Sequence, residues 1–425
     1  MTRGLVSIVI WVVGLVAIFA LAPVTARGQG QPEVGRGAPF PRQLTVYDRR
    51  GNAVRMLGEP EIYRDPVFSP DGMRLAVVKV GLEGEADVDI WVFDLPQGTS
   101  TRVTSDPARE FGEFAPVWSP DASQIGYYSY RDNYGRLYRK ASNGAGSEEL
   151  LYQHTPGAEM HLRDWSPDGR FLSFDSGDVV YILPLDGQRK AIEFSREEFE
   201  LLEAHFSPDG RFLAYRSNES GRYELYVQSI DLSSGLPAAG GKWQVSNRGA
   251  LGMVHWRGDG SELYYLAADG AVMAVEVTTT PAFEAGPQKV LFRAPSTIPL
   301  TSYLSYPGEL PSALGSVSRN GERFIFAVPL PPDREEITVE PETLAKYVGT
   351  YARNRNYDWV VNLESGQLLI QEVGAEQYPL FAESETSFFF KVTNGDLEFI
   401  EDEKGNVTDL VLYNVGDRGI RMPRK

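Results

Sequence analysis

Hydrophobic and polar residues alternate in short runs along most of this chain, with the two-residue period of β-strands. The runs are rich in β-branched and aromatic residues and end at Gly, Pro, Asn or Asp; examples are residues 74–80, 211–217 and 262–268. A second run and a shorter third run follow each of them. With the strand that carries the preceding aromatic residue, the pattern predicts units of four β-strands across residues 43–330.

A five-residue motif, aromatic-Ser-Pro-Asp-Gly, separates the first two strands of each unit. It is complete or nearly complete from Phe68, Trp118, Trp165 and Phe206, and it weakens to WRGDG and VSRNG in the last two units. The fourth motif positions are 50, 47, 41, 50 and 61 residues apart and hold Asp71, Asp121, Asp168, Asp209, Asp259 and Asn320. Four-stranded units at this period are typical of β-propeller blades.

The motif itself predicts a tight turn. Proline presets φ at the second turn position, aspartate tolerates the next position, and glycine accepts a positive φ. We therefore interpret the turn aspartates as structural residues. We also expect the leading Phe or Trp to pack between neighbouring blades.

The two ends of the repeat region complement each other. Five full units precede residue 295, whereas the sixth contains only two strands, at 314–318 and 322–330. Strands at 43–48 and 52–57 supply the two that are missing. We therefore predict a six-bladed propeller whose last blade is completed by amino-terminal strands, an arrangement that hides sheet edges.

The pattern changes after a proline-rich linker at 331–336. Residues 337–425 contain a short helix candidate at 340–351 and then seven or eight strands, joined by turns such as Ser365-Gly366 and Asn394-Gly395. An Asn-Gly pair between β-runs is a strong hairpin signal. The predicted fold class is thus all-β, with the propeller followed by a small antiparallel β-barrel or sandwich.

The first 26 residues differ from all that follow. One arginine precedes an almost continuous apolar run at 5–22, and small residues stand on the approach to a cleavage site after Ala26. This is the pattern of a secretory signal peptide, with an uncleaved membrane anchor as the alternative. Residues 27–42 are rich in Gly, Gln and Pro and are predicted to form a flexible tether. We expect a periplasmic or secreted protein, without stable membrane insertion if the signal is cleaved.

The composition excludes several classes of protein. The 425 residues include no cysteine, which rules out disulfide scaffolds, zinc–thiolate sites and thiol catalysis. The net charge of −17 argues against binding to nucleic acid, because an acidic surface repels the phosphate backbone. A hydrophobic content of 42% allows a large core, so wholesale disorder is not expected.

The repeats resemble the WD40-like propellers of TolB proteins, and those attached to prolyl-oligopeptidase-type peptidases and some bacterial protein kinases. The segments LAKYVGTY and LFAESETSFFFKV resemble the small lipocalin-like domain found behind β-lactamase-like serine hydrolases. These resemblances imply a propeller and an accessory barrel. The sequence contains no Gly-x-Ser-x-Gly, no Ser-x-x-Lys and no kinase or Walker motif, so we expect both modules without their usual catalytic domains.

Candidate site residues come from the strand before each turn, because the innermost strands of a propeller line its central channel. His205 and His255 lie four residues before their turn aspartates, and Asp164 holds the same position of the third blade. Asp65 and Glu203 match each other six residues before their turns. We predict a ligand-binding site formed by these five residues, without a metal, a cofactor or a catalytic residue. Two histidines near carboxylates also leave open a divalent-metal site or general acid–base chemistry.

The leading hypothesis is an exported, non-catalytic binding or scaffold protein whose propeller engages a protein or a small ligand. One alternative is a propeller hydrolase or lyase that uses the channel histidines. Another alternative is an accessory subunit of a separate secreted hydrolase, since both modules resemble parts of hydrolases.

Overall fold

The computed structural model describes residues 41–81, 88–105, 112–131, 134–194, 199–234, 236–295, 315–330, 334–352, 358–372, 377–391, 396–413 and 419–425. The predicted signal peptide, nearly all of the tether and the Asn394-Gly395 turn lie outside these residues. Within these ranges, none of the helices has the length and apolar character that crossing a bilayer requires.

The strands of the repeat region form six antiparallel blades of four strands each. Blades 1 and 6 share strand β2, and blades 2 to 5 each use four consecutive strands. The strands are β1 (Arg42–Asp48), β2 (Ala53–Phe68), β3 (Arg74–Val80), β4 (Val88–Asp94), β5 (Ser100–Arg102), β6 (Glu113–Trp118), β7 (Gln124–Arg131), β8 (Tyr134–Ala141), β9 (Glu149–Pro156), β10 (His161–Trp165), β11 (Phe171–Ser176), β12 (Val179–Pro184), β13 (Ile192–Glu193), β14 (Leu201–Phe206), β15 (Phe212–Ser217), β16 (Glu224–Asp231), β17 (Leu236–Gln244), β18 (Ala250–Trp256), β19 (Glu262–Ala267), β20 (Ala271–Thr278), β21 (Glu284–Arg293), β22 (Gly315–Val317) and β23 (Arg323–Pro329).

Blade 6 is completed from the amino-terminal end of the repeat region, as predicted. Strand β1 pairs with β23 along its whole length, and the first half of β2 pairs with β1. The structure departs from the prediction in one respect, because β2 continues without a break and its second half becomes the innermost strand of blade 1. Pro60 does not interrupt β2, since it lies where the register against β1 shifts, between the pairs Arg42–Glu61 and Leu44–Leu57, and proline is tolerated at such irregular positions.

The turn residues form the same hydrogen bonds in five blades. The motif serine donates its hydroxyl to the turn aspartate, at 2.6 Å for Ser119–Asp121 and for Ser207–Asp209, and to Asn320 in blade 6. The same hydroxyl accepts the backbone N–H five residues later, as Ser207 Oγ does from Phe212 at 3.0 Å. The turn aspartates thus serve the turn, as the sequence indicated.

The leading aromatic residues pack between neighbouring blades, as expected. Trp118 of blade 2 is 6% exposed and belongs to the same hydrophobic cluster as Ala76 and Val78 of blade 1. Its indole N–H also donates to Val67 O of blade 1 at 3.1 Å. The core of the propeller is therefore a set of interfaces between blades, arranged around the channel.

The carboxy-terminal region is an eight-stranded antiparallel sheet that nearly closes into a barrel. An isolated bridge between Tyr351 and Arg424 joins its first strand to its last residues. The helix is shorter than predicted, because Tyr347 and Tyr351 enter the aromatic core of the barrel, where Tyr347 stacks on Phe399 at 4.2 Å. The elements are α1 (Pro341–Ala345), β24 (Gly349–Ala352), β25 (Asp358–Glu364), β26 (Gln367–Glu372), β27 (Tyr378–Ala382), β28 (Ser387–Phe389), β29 (Asp396–Glu401), β30 (Val407–Tyr413) and β31 (Ile420–Pro423). The domain boundaries given above stay predictions.

Candidate functional site

The innermost strands of blades 1 to 5 are irregular at the same place. Each shows a β-bulge, a break in register against the second strand, four to seven residues before the turn aspartate. Four non-glycine residues there have a positive φ: Asp65 (48°), Ala115 (52°), Glu203 (57°) and Met253 (58°). Bulges re-aim side chains and are frequent next to functional sites.

Asp65 and Glu203 lie at these bulges and connect neighbouring blades. Asp65 Oδ2 accepts the N–H of Ala115 in blade 2 at 3.2 Å, and Glu203 Oε1 accepts the N–H of Val254 in blade 5 at 3.2 Å. Glu203 also forms an ion pair of 2.8 Å with Arg216, whose side chain is fully buried. Both carboxylates therefore have inter-blade contacts that account for their presence in the repeat.

The residues four positions before the turns form a ring around the channel, which we call the channel ring. Each of them lines a central cavity. The ring consists of Val67, Val117, Asp164, His205, His255 and Ser316, in order from blade 1 to blade 6. It is therefore apolar in two adjacent blades and polar in the other four.

Two cavities lie along the channel. The upper cavity has a volume of about 170 Å³, opens among the turns and includes Asp164. The lower cavity has a volume of about 70 Å³ and is lined by the bulge residues, including Asp65 and Glu203. His205 and His255 line both cavities, so they stand between the two.

Three of the five predicted site residues are close together. The imidazole rings of His205 and His255 are 5.3 Å apart between centroids, and His205 Nδ1 lies 3.9 Å from Asp164 Oδ2. Asp65 and Glu203 lie by the other cavity. That these residues bind a ligand stays a prediction.

Asp164 is held rigidly by the backbone of two blades. Its Oδ1 accepts the N–H of Trp165 and its Oδ2 accepts the N–H of Phe206, both at 2.8 Å. Burial raises the pKa of Asp164 to about 7, although these two N–H groups and the charge of Arg319 act in the opposite direction. Asp164 can therefore carry a proton near neutral pH.

The two channel histidines are neutral at pH 7. Burial lowers the pKa of His255 to about 4. Burial, together with His255 and Arg163, lowers the pKa of His205 well below its usual value. A neutral imidazole has one N–H donor and one nitrogen acceptor, so each histidine can offer both to a polar ligand.

Two arginines at the channel were not identified from the sequence. Arg163 lines both cavities and is neutralised by Asp175, to which it donates at 2.5 and 2.9 Å. Arg319 is exposed and lines the upper cavity. The signal for Arg319 was present, because it replaces the motif proline in VSRNG, but that change was interpreted as a weakening of the repeat.

The remaining histidines do not belong to the channel ring. His154 packs edge-on against Tyr181, with 5.6 Å between ring centroids, and His161 Nδ1 is 3.6 Å from Asp175 Oδ2. Among the residues that the structure describes, no group of three or more His, Cys, Asp or Glu side chains has a geometry that could hold a metal ion.

Comparison with known proteins relates the two regions to different groups. Residues 333–422 match the family described as "Domain of unknown function (DUF3471)". A stretch of 145 residues is 30% identical to "Uncharacterized peptidase YuxL" of Bacillus subtilis (strain 168), covering 32% of this chain and 20% of that protein. The match thus spans only a fifth of that relative's length.

Solved structures with similar folds are distant in sequence. A putative TolB from Agrobacterium tumefaciens is 16% identical, with a TM-score of 0.47, covering 68% of this chain and 98% of that one. An oligogalacturonate lyase in complex with manganese is 16% identical, with a TM-score of 0.45, covering 66% of this chain and 81% of that one. The propeller that the TolB-like repeats predict is shown by the strand pairing described above, which gives six four-stranded blades.

Proposed function

We propose that the protein is an exported binding protein that holds its ligand in the upper cavity, against the channel ring. The observation that carries this proposal is the polar arc of the ring, in which Asp164, His205 and His255 come from three successive blades. The turns four residues later are the same in nearly every blade. Asp164 also bonds to the backbone of blade 4, but among the described residues no hydrogen bond between blades explains why His205 and His255 replace valine.

The bonding of the carboxylates favours binding over catalysis. Both oxygens of Asp164 already accept backbone N–H groups, and Asp65 and Glu203 are engaged between blades. The neutral histidines can still donate and accept hydrogen bonds. Export is supported by residues 1–26, which lie outside the described residues.

The test is retention of a ligand from an extract of the cell envelope, measured by mass spectrometry of compounds bound to the purified protein. The double variant His205→Val with His255→Val gives two more blades the valine that blades 1 and 2 carry. We expect the wild type to retain a compound that this variant loses. Val67→Phe should narrow the cavity and also lose it, while Val290→Phe on the exposed surface should keep it. Equal retention by all four proteins, or no retention by any, contradicts the proposal.

A propeller hydrolase or lyase is the second candidate, and one observation favours it. Asp164, with its pKa raised to about 7, lies 3.9 Å from the neutral His205, and a pair of this kind can exchange protons with a substrate near neutral pH. A screen of esterase, lactonase and peptidase substrates tests it. Activity that His205→Ala abolishes and His154→Ala preserves would establish this function; a wild type without activity leaves binding as the function.

A further inference from the structure

The upper cavity contains a cation at a position where the repeat normally has proline. The third motif residues of all six blades line this cavity: Pro70, Pro120, Pro167, Pro208, Gly258 and Arg319. Four blades thus present proline rings at the mouth of the channel. Blade 6 presents a guanidinium group instead, and blade 5 presents a bare backbone.

The two departures from proline are matched to each other. A Cβ atom on Gly258 would lie 2.3 Å from Cγ and 2.8 Å from Nε of Arg319, so only glycine leaves room for this side chain. The N–H of Gly258 also donates to Arg319 O at 2.6 Å, a bond that proline could not form. Gly258 therefore lets Arg319 lie along the wall of the cavity.

Arg319 has no carboxylate partner of its own among the described residues. No described Asp or Glu lies within 4.0 Å of its guanidinium group, whereas Arg163 in the same cavity is paired with Asp175. The charge of Arg319 acts to lower the pKa of Asp164, but both oxygens of Asp164 are bonded to backbone N–H groups. The cavity therefore has one cation that can accept an anionic partner.

We propose that the upper cavity binds a small carboxylic acid, whose carboxylate pairs with Arg319 and whose carbon chain lies against Val67 and Val117. This inference rests on the proposed function and names its ligand class. Arginine binds carboxylates with two parallel hydrogen bonds, which makes the pairing directional. A cavity of about 150 Å³ holds a benzene molecule, so the volume of about 170 Å³ suits an acid of about seven heavy atoms.

The test is calorimetric titration of the purified protein with pentanoate and with its neutral analogue pentanamide. We expect pentanoate to bind the wild type at least tenfold more tightly than pentanamide does. Arg319→Gln and Gly258→Ala should each weaken pentanoate binding at least tenfold, the second by displacing Arg319. Arg248→Gln, at an exposed arginine that pairs with Asp269, should change it less than twofold.

Several results would overturn the inference. These are equal binding of the two compounds, wild-type affinity in Arg319→Gln, or no binding of pentanoate at millimolar concentration. A neutral compound retained from the envelope extract would also overturn it, yet would leave the channel as the binding site, so the two proposals fail separately. A peptide with a free C-terminus offers the same carboxylate; if acetylglycine, which is close to pentanoate in size, binds more tightly than pentanoate and its amide does not bind, the acid is assigned to a peptide end.

Discussion

The turns and the channel ring are four residues apart in each blade, yet the turns are nearly constant from blade to blade and the ring residues are not. The turns repeat one set of hydrogen bonds in five blades, with Ser207 and Asp209 as an example. The ring changes from valine in two blades to aspartate, histidine and serine in the others. The repeat thus builds a constant frame, and the positions that do not repeat carry the chemistry of the channel.

The bulge position, six residues before the turn, shares features with both the constant turns and the variable ring. Asp65 and Glu203 differ from Ala115 and Met253 in chemistry, but all four adopt a positive φ. The carboxylates at this position bond to the next blade. We therefore group them with the frame, and this grouping can be tested by stability measurements.

The largest expected effect is at the buried ion pair of Glu203 and Arg216. Arg216→Met leaves the Glu203 carboxylate buried without its partner, which should cost about 3–5 kcal/mol of unfolding free energy, measured by urea denaturation. Adding Glu203→Leu should recover part of that loss, because no unpaired charge remains. The exposed pair of Arg248 and Asp269 is the control, and Arg248→Met should cost less than about 1 kcal/mol. If Arg216→Met costs as little unfolding free energy as the control, Glu203 is not part of the constant structural frame.

The next effect is at the turn serines. Ser207→Ala removes the acceptor of the buried Phe212 N–H, and Ser119→Ala removes the acceptor of the Gln124 N–H. Each should cost about 1–3 kcal/mol, and the two costs should be similar because the turns are equivalent. Ser261→Ala, in the exposed turn of blade 5, should cost less. Clearly different losses at Ser119 and Ser207 would contradict a constant frame.

The channel histidines should contribute to the pH dependence of the unfolding free energy. Their pKa values are lowered in the folded state, so below about pH 6.5 the unfolded chain takes up protons that the native protein does not, and stability falls with acidification. Asp164, with its raised pKa, acts in the opposite direction and remains in the variant. His205→Val with His255→Val should therefore reduce the loss between pH 7 and pH 6 by about 1–2 kcal/mol. If the double variant loses as much stability on acidification as the wild type, the histidines are accessible to protons in the folded protein.

The smallest effect is expected at Arg319. It is exposed, so Arg319→Gln should change the unfolding free energy by no more than about 0.5 kcal/mol. Arg323 is the matched residue of the frame in the same blade, since it donates to Gly72 O at 2.7 Å and lies over Phe68. Arg323→Gln should cost more than Arg319→Gln. The reverse order would make Arg319 a structural residue.

The features that the sequence predicted are those that depend on local repetition. Strand periodicity and the turn motif define the blades, and the two-strand deficit of the sixth blade leads to its closure by residues 43–57. The contacts that were missed join residues far apart in the chain. Gly258 and Arg319 each depart from the motif proline, but only the adjacency of blades 5 and 6 relates them to each other. Glu203 and Arg216 have no local pattern at all.

The four histidines provide the most direct test of the channel as a ligand site, because each one gives a separate imidazole resonance. Proton NMR spectra are recorded with and without saturating pentanoate and are assigned with single histidine variants. We predict that the resonances of His205 and His255 shift while that of His154, which packs against Tyr181, stays in place. Shifts confined to His154 or His161, or no shift at saturation, would contradict a ligand site at the channel ring.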